Sequence, residues 1–321
     1  MLDSTQAGRT CFVSSLTLAL IALIPTAHGI GQIVFESTVN ENRDIYVMGE
    51  DGTNVRRLTE HPSGDTSPRW SPGGTRIAFI SGRAGQADVY VMTADGQDVR
   101  RLTQDAEFVA APAWSPDGRR IAFVAQYSEY GLHVMNADGQ DVQLVATAPD
   151  LEGIPRSHFN TSSGLDWSPN GRTILCTVYA PVMDRAAVIW AIDADGRNTR
   201  KLSEGGHDGG QAWSPDGRNI LFANSGVDPG LYTMLPDGRR RTRVADAPLG
   251  VQPRWSPDGQ EIAFAFDDDI HVVGADGQGL RRLVEAPGVE GRLDWFDPDY
   301  ARAVTPRAKA PATWGHVKAS R

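Results

Sequence analysis

From Ile33 onward the hydrophobic residues of this chain fall in short runs with no helical spacing. Apolar triplets recur at Ile33-Val34-Phe35, Ile77-Ala78-Phe79, Ile121-Ala122-Phe123, Ile174-Leu175-Cys176, Ile220-Leu221-Phe222 and Ile262-Ala263-Phe264. A second run follows each after a polar interval: "DIYVM" from Asp44, "DVYVM" from Asp88, "GLHVM" from Gly131, "VIWAI" from Val188, "GLYTM" from Gly230 and "DIHVV" from Asp269. Runs this short and this rich in β-branched and aromatic residues predict strands.

The polar punctuation has the same period. Trp-Ser-Pro begins at Trp70, Trp114, Trp167, Trp213 and Trp255, a degenerate "WFDPD" begins at Trp295, and the spacing runs from 40 to 53 residues. In Ser-Pro-Asp-Gly, proline pre-sets the second position of a type I turn, aspartate suits the third and glycine accepts the exit geometry. This predicts the turn between strands a and b. Asp-Gly at Asp51, Asp95, Asp138, Asp195, Asp237 and Asp276 predicts tight c–d hairpins with positive φ. One repeat is therefore a four-stranded antiparallel meander, and a period near 40 to 50 residues is that of propeller blades or solenoids.

Closure separates the two architectures. The first unit starts at Ile33-Val34-Phe35 with no Trp-Ser-Pro strand ahead of it, while "RLDWF" at 292–296 is that strand without its followers. A solenoid needs polar capping units, whereas a ring closes on itself and leaves only short edges. The expectation is an all-β, six-bladed β-propeller over 30–297, closed by a carboxyl-terminal strand that completes the first blade.

The ends differ from the repeats. Arg9, an apolar stretch from Cys11 to Pro25 and Ala27-His28-Gly29 read as a signal peptide over 1–29, because the stretch is shorter than the roughly 20 residues of a spanning helix. A cleaved product would be periplasmic or extracellular, without a transmembrane span. Cys176 is then the one thiol left, and "TILCTVY" suits a small buried hydrophobe on a strand. Residues 298–321 contain prolines and basic residues without periodicity, and read as a flexible tail.

Composition narrows the function. Thirty-four glycines and 20 prolines across 321 residues fit many turns, and a net charge of −9 argues against nucleic acid as a partner. The local signatures of zinc proteases, phosphate-binding loops and Cys-x-x-Cys sites are absent. "DADGRNTR" from Asp193 superficially resembles a calcium loop, but glycine falls fourth rather than sixth, and the hairpin reading is preferred. Asp267-Asp268-Asp269 falls where a solvated b–c loop is expected, and Asn160-Thr161-Ser162 fits a glycosylation sequon. His133 and His271 lie within c strands and are expected to be packed.

With these residues in hand, the chain resembles the TolB-type propeller repeat, also called the WD40-like or PD40 repeat, over about 31–296. "RWSPGGTRIAFISGRAGQADVYVMTADGQDVRRLT" from Arg69 and "RWSPDGQEIAFAFDDDIHVVGADGQGLRRLV" from Arg254 are similar to its consensus. TolB itself is a periplasmic component of the Tol-Pal envelope system with an α/β domain ahead of its propeller. Here the first blade begins within a few residues of the expected cleavage, so a propeller-only member is expected. The same repeat precedes the catalytic domain of prolyl-oligopeptidase-like enzymes, whose Gly-x-Ser-x-Gly elbow this chain lacks.

The resemblance implies a monomeric, non-enzymatic binding module without a cofactor, with a protein or peptide partner such as a peptidoglycan-associated lipoprotein. Loops from strand d of one blade to strand a of the next emerge on one face, around the channel mouth, where binding usually resides. The connection over 146–167 is the longest. The candidate binding residues in these loops are His61, Asp65, Glu107, Arg156, His158, His207 and Asp208. The alternative is a metal-dependent propeller lyase or hydrolase acting on saccharides or peptides, in which histidines from separate loops hold the ion.

Overall fold

The computed structural model describes residues 31–39, 42–147, 158–180, 186–204, 206–246, 252–285 and 289–298. The signal stretch, Arg156 and the tail beyond Pro298 lie outside the described residues. Six antiparallel sheets follow one another around a ring. Blade 2 contains β4 (Asp65–Trp70), β5 (Arg76–Ser81), β6 (Asp88–Thr93) and β7 (Arg100–Arg101). Blade 3 contains β8 (Phe108–Trp114), β9 (Arg120–Gln126), β10 (Tyr130–Asn136) and β11 (Gln143–Thr147). In blade 4 the inner edge is shared by β12 (His158–Phe159) and β13 (Leu165–Trp167), followed by β14 (Thr173–Ala180), β15 (Ala186–Asp193) and β16 (Thr199–Lys201). Blade 5 has β17 (Asp208–Trp213), β18 (Ile220–Asn224), β19 (Gly230–Met234) and β20 (Thr242–Ala245), and blade 6 has β21 (Arg254–Trp255), β22 (Glu261–Phe266), β23 (Asp269–Gly274) and β24 (Arg281–Glu285).

Blade 1 closes the ring. Its order is β25 (Val289–Phe296), β1 (Gln32–Val39), β2 (Asn42–Gly49) and β3 (Arg56–Arg57), with Ile33 opposite Trp295 and Phe35 opposite Leu293. The expected architecture is therefore the observed one. Among the described residues no helix is long and apolar enough to cross a membrane.

The turns explain the repeated words. In blade 3 the Gly118 N–H donates to the Ser115 carbonyl at 2.8 Å, and the Asp117 carboxylate accepts the Ser115 hydroxyl at 2.6 Å and the Arg119 N–H at 3.1 Å. The Asp-Gly hairpins differ in one respect from expectation. Thr93 and Gln97 bracket a three-residue loop in which Gly96, at φ +89°, is left-handed and Asp95 is not. A type I turn followed by one left-handed glycine gives this geometry. The Cβ of any other residue at Gly96 would also lie 2.7 Å from the Leu58 carbonyl of the preceding blade, so the turn doubles as an inter-blade contact. A true two-residue turn of the primed kind joins β22 to β23, where Asp267 and Asp268 have φ of 52° and 62°.

The outer strand is tied down by charge. The "RRLT" word places Arg101 Nη2 2.7 Å from the buried Asp88, and Thr103 Oγ1 donates to Asp88 at 2.8 Å while accepting the Val89 N–H at 2.9 Å. Blade 1 repeats this with Arg57, Asp44 and Thr59. The calcium-like "DADG" is the c–d hairpin of blade 4, with Gly196 N–H on the Asp193 carbonyl at 2.8 Å.

The core lies between blades. Six apolar clusters each span two neighbouring sheets, the last one joining Ala263, Ile270 and Val272 of blade 6 to Ile33, Phe35, Leu293 and Trp295 of blade 1. Strands b and c contribute a cross-strand ring pair to these clusters: Phe35 with Tyr46, Phe79 with Tyr90, Phe123 with His133, Phe222 with Tyr232 and Phe264 with His271, at centroid distances of 5.7 to 5.8 Å. His133 and His271 are thus packed as rings in the tyrosine position. Blade 4 has Cys176 opposite Trp190 at the same register. A small b residue there meets a larger c residue, and burial pushes the Cys176 thiol pKa well above its usual range.

This exchange of volume predicts coupling. Cys176→Phe alone overpacks the site and Trp190→Tyr alone leaves a void, each costing about 1–3 kcal/mol, while the double variant restores the pair used by other blades. Denaturant unfolding of the four proteins should show the double variant less destabilised than the sum of the singles. Additive losses would show that the two side chains do not share a site.

Candidate functional site

The candidate residues on the d–a face separate into groups. Asp65 and Asp208 are fully buried: Arg83 Nη2 bonds both oxygens of Asp65 at 3.0 Å, and Arg241 Nη1 bonds both of Asp208 at 3.1 Å, with Asn224 Nδ2 at 2.7 Å. These carboxylates pin strand a to its own blade. His207 and Asp208 line a cavity of about 140 Å³ between blades 4 and 5, with Asn160, Ser162 and Tyr179. His158 is exposed and packs on Tyr179 at a centroid distance of 5.4 Å, which places it beside that cavity. His61 lies apart, beside a groove between blades 1 and 2 lined by Pro62, Ser63 and Gly64, and its Nδ1 accepts the Ser63 N–H at 3.2 Å. Glu107 is exposed on blade 3. The sequon residue Asn160 is buried, and its Nδ2 donates to Ser163 Oγ at 2.7 Å.

A second, axial site was not singled out from the sequence. The residue before each repeat tryptophan sits on the innermost strand, and around the ring from blade 1 these are Asp294, Arg69, Ala113, Asp166, Ala212 and Arg254. Asp294 Oδ2 accepts the Trp70 N–H of the next blade at 2.8 Å, and Asp166 Oδ2 accepts that of Trp213 at 2.7 Å. The indoles of Trp114 and Trp167 do the equivalent work elsewhere, donating at 3.2 Å to the Arg69 and Ala113 carbonyls of the preceding blade. Bulges just upstream, with Ser67 and Ala111 at φ 56°, re-aim the residues that follow.

The charges are crowded and poorly hydrated. Asp294 Oδ1 lies 3.7 Å from Arg69 Nη1 and 4.0 Å from Arg254 Nε, too far for hydrogen bonds. Burial raises the Asp294 pKa against the pull of Arg69. Asp166 keeps one edge towards the channel but is otherwise enclosed, and burial pushes its pKa to about 7, against the Trp213 N–H and the Arg69 charge. Arg254 is 4% exposed; its Nη1 donates to the Pro253 carbonyl at 2.9 Å, while Nε and Nη2 have no acceptor. Leaving such donors unmet costs about 1–3 kcal/mol each. Asp166, Arg254 and Asp294 form the floor of a cup of about 250 Å³ at the a–b turn end, walled by Trp70, Trp213, Trp255 and Trp295 with Pro72, Pro215 and Pro257. Among the described residues no group of three or more His, Cys, Asp or Glu side chains is placed to hold a metal ion.

The sequence model of the family described as PD40, TolB beta propeller domain, matches residues 29–211, more than half of the chain. The chain belongs to the TolB beta propeller domain family. Curated relatives include a "Protein TolB homolog" of Chlorobium luteolum, 32% identical over 23% of this chain, and the "Tol-Pal system protein TolB" of Geobacter sulfurreducens, 45% identical over 15% of it. These matches span only 17% and 11% of the relatives' own lengths. The crystal structure of TolB from Acinetobacter baumannii superposes with a TM-score of 0.68 at 17% identity, covering 83% of this chain and 66% of that one, a likeness of fold.

In this TolB-family propeller the Asp166 carboxyl sets a pH dependence. A buried carboxyl with a raised pKa favours folding while it is protonated, and that advantage fades as pH rises from the unfolded value of 3.8 through about 7. Asn in its place keeps an oxygen for the Trp213 N–H and has no charge to bury. Asp166→Asn should therefore raise the thermal midpoint above pH 7, with the gain vanishing below about pH 4. A gain independent of pH, measured across pH 4 to 8.5, would contradict the assigned burial.

Proposed function

We propose that this protein is an exported, non-enzymatic binding module that engages a protein or peptide of the cell envelope through the d–a loops around its channel mouth. The observation that carries the reading is membership of the TolB beta propeller family on a closed six-bladed ring. A closed ring fixes its strands and leaves connections of unequal length on one end, the arrangement in which rigid scaffolds present binding loops. The apolar run and small-residue site within 1–29 support export to the periplasm or beyond. A peptidoglycan-associated lipoprotein is the partner most consistent with the Tol-Pal name of one relative.

Of the candidate residues on this face, His158 on β12 and Glu107 are exposed and His61 and His207 half-buried, so they are available for contact. Asp65 and Asp208 act by holding the loops in place through Arg83 and Arg241. Arg156 belongs to the same proposed surface by its position in the connection.

The test is a binding titration of the processed protein against the soluble domain of a peptidoglycan-associated lipoprotein from the same organism. Glu107→Ala with His158→Ala should weaken binding about tenfold or more, as for removal of interface contacts, and leave the unfolding midpoint unchanged. Undiminished affinity would move the contact surface away from these loops, and no binding by the wild type would remove this partner.

A further inference from the structure

We propose that the waist of the propeller channel is a binding site for a carboxylate, carried by a peptide that enters through the cup at the a–b turns and held between Arg254 and Arg69. This site lies at the end of the channel opposite the d–a loops and does not rest on the partner proposed above.

Three observations converge on it. Arg254 is more than nine-tenths buried, yet Nε and Nη2 have no acceptor. A structural arginine at this depth ordinarily has its whole fork satisfied, because the unmet donors of a buried cation are the costly ones. Arg69, one-tenth exposed, is the second cation, and its separation of 3.7 Å from Asp294 is again beyond hydrogen-bonding range. Finally, the two arginines converge. A Cβ on Gly164 would lie 2.8 Å from Arg69 Nη2 and 3.6 Å from Arg254 Nη2, so both guanidinium groups reach the bare backbone of the same glycine and lie close to each other there. Two forks brought this close suit one oxyanion, which accepts from both.

Charge and shape select the kind of anion. Two guanidinium groups face Asp294, with Asp166 close by. The surplus is at most about one positive charge, which one carboxylate neutralises and a doubly charged phosphate would overshoot against two nearby carboxyls. The approach is largely apolar: Trp70, Trp213 and Trp255 with Pro72, Pro215 and Pro257 wall the cup of about 250 Å³ above the charged floor, and Asp297 also lines it, which further disfavours a doubly charged anion. That volume holds roughly one or two amino-acid residues, with aromatic and prolyl surfaces for their side chains. An apolar peptide with one carboxylate fits both parts; a charged sugar or a nucleotide would leave the tryptophan wall unused.

The experiment is calorimetric titration of the whole protein with N-acetyl-Ala-Leu-Leu bearing a free carboxyl end, its carboxamide, N-acetyl-Ala-Glu-Leu-amide, and inorganic phosphate. The free acid should bind at least tenfold tighter than the carboxamide and tighter than phosphate. Binding of the internal glutamate peptide with similar affinity would assign the site to acidic side chains as well as chain ends; its failure would restrict the site to chain ends. Arg254→Met and Arg69→Met should each abolish the acid-over-amide preference, with circular dichroism and the unfolding midpoint reporting that the ring remains intact. Equal affinity for acid and amide, absence of binding by the acid, or a preference for phosphate overturns the proposal on the unmodified protein alone. Retention of the preference by both arginine variants overturns it as well.

Discussion

The structure depends on one pairing between distant parts of the chain, that of β25 with β1. Each sheet buries apolar side chains against both neighbours, so no blade is complete alone and a ring missing one contact exposes two faces. With β25 in place, Leu293 and Trp295 complete the cluster that joins blade 1 to blade 6, and Asp294 reaches forward to the Trp70 backbone of blade 2. The same short strand therefore supplies the inner edge of the first blade, part of the closing core and a polar tie to the next blade. Burial of this kind, at roughly 25 cal/mol per Å² of apolar surface, is what offsets the entropy of holding chain segments so far apart in sequence.

Beyond that pairing, the ring is held by small devices repeated with local substitutions. Ser-Pro-Asp-Gly makes a hairpin and also sets its glycine against the proline of the preceding blade, as Gly118 does on Pro72. Where the sixth copy degenerates to "WFDPD", Phe296 fills the place and packs on Trp70 with ring centroids 5.6 Å apart. The inter-blade hydrogen bonds use aspartate acceptors between blades 1 and 2 and between blades 4 and 5, and indole donors between blades 2 and 3 and between blades 3 and 4. The tie made by Asp166 and Asp294 also puts carboxyls beside two buried arginines on the channel axis.

Much of this was legible in the residues. Strand positions, turns, the number of blades and the closing strand follow from a strict period in which local propensity and global pattern agree. The inner geometry was only partly legible. The series Asp, Arg, Ala, Asp, Ala, Arg before the six tryptophans is visible in the sequence, but its meaning requires knowing that this position faces the axis. Asp65 and Asp208 read as free loop carboxylates because their arginine partners, Arg83 and Arg241, lie 18 and 33 residues away in segments with no evident link to them. Asp-Gly was read as a tight hairpin with positive φ angles, whereas an extra residue before Gly96 allows the commoner type I turn with a single left-handed position. Cys176 and Trp190 could have been paired by aligning "ILC" and "WAI" with the other blades, since the volume lost on one strand reappears on its neighbour.

Closure of the ring is tested most directly by amide hydrogen exchange on the intact protein. Amides of 293–295 in β25 should be protected to the same degree as those of β1 and β5 and should open with them in one cooperative unit as denaturant is added. Exchange of 293–295 at the rate of an unstructured chain, while β5 stays protected, would show that the end of the chain does not complete the first blade.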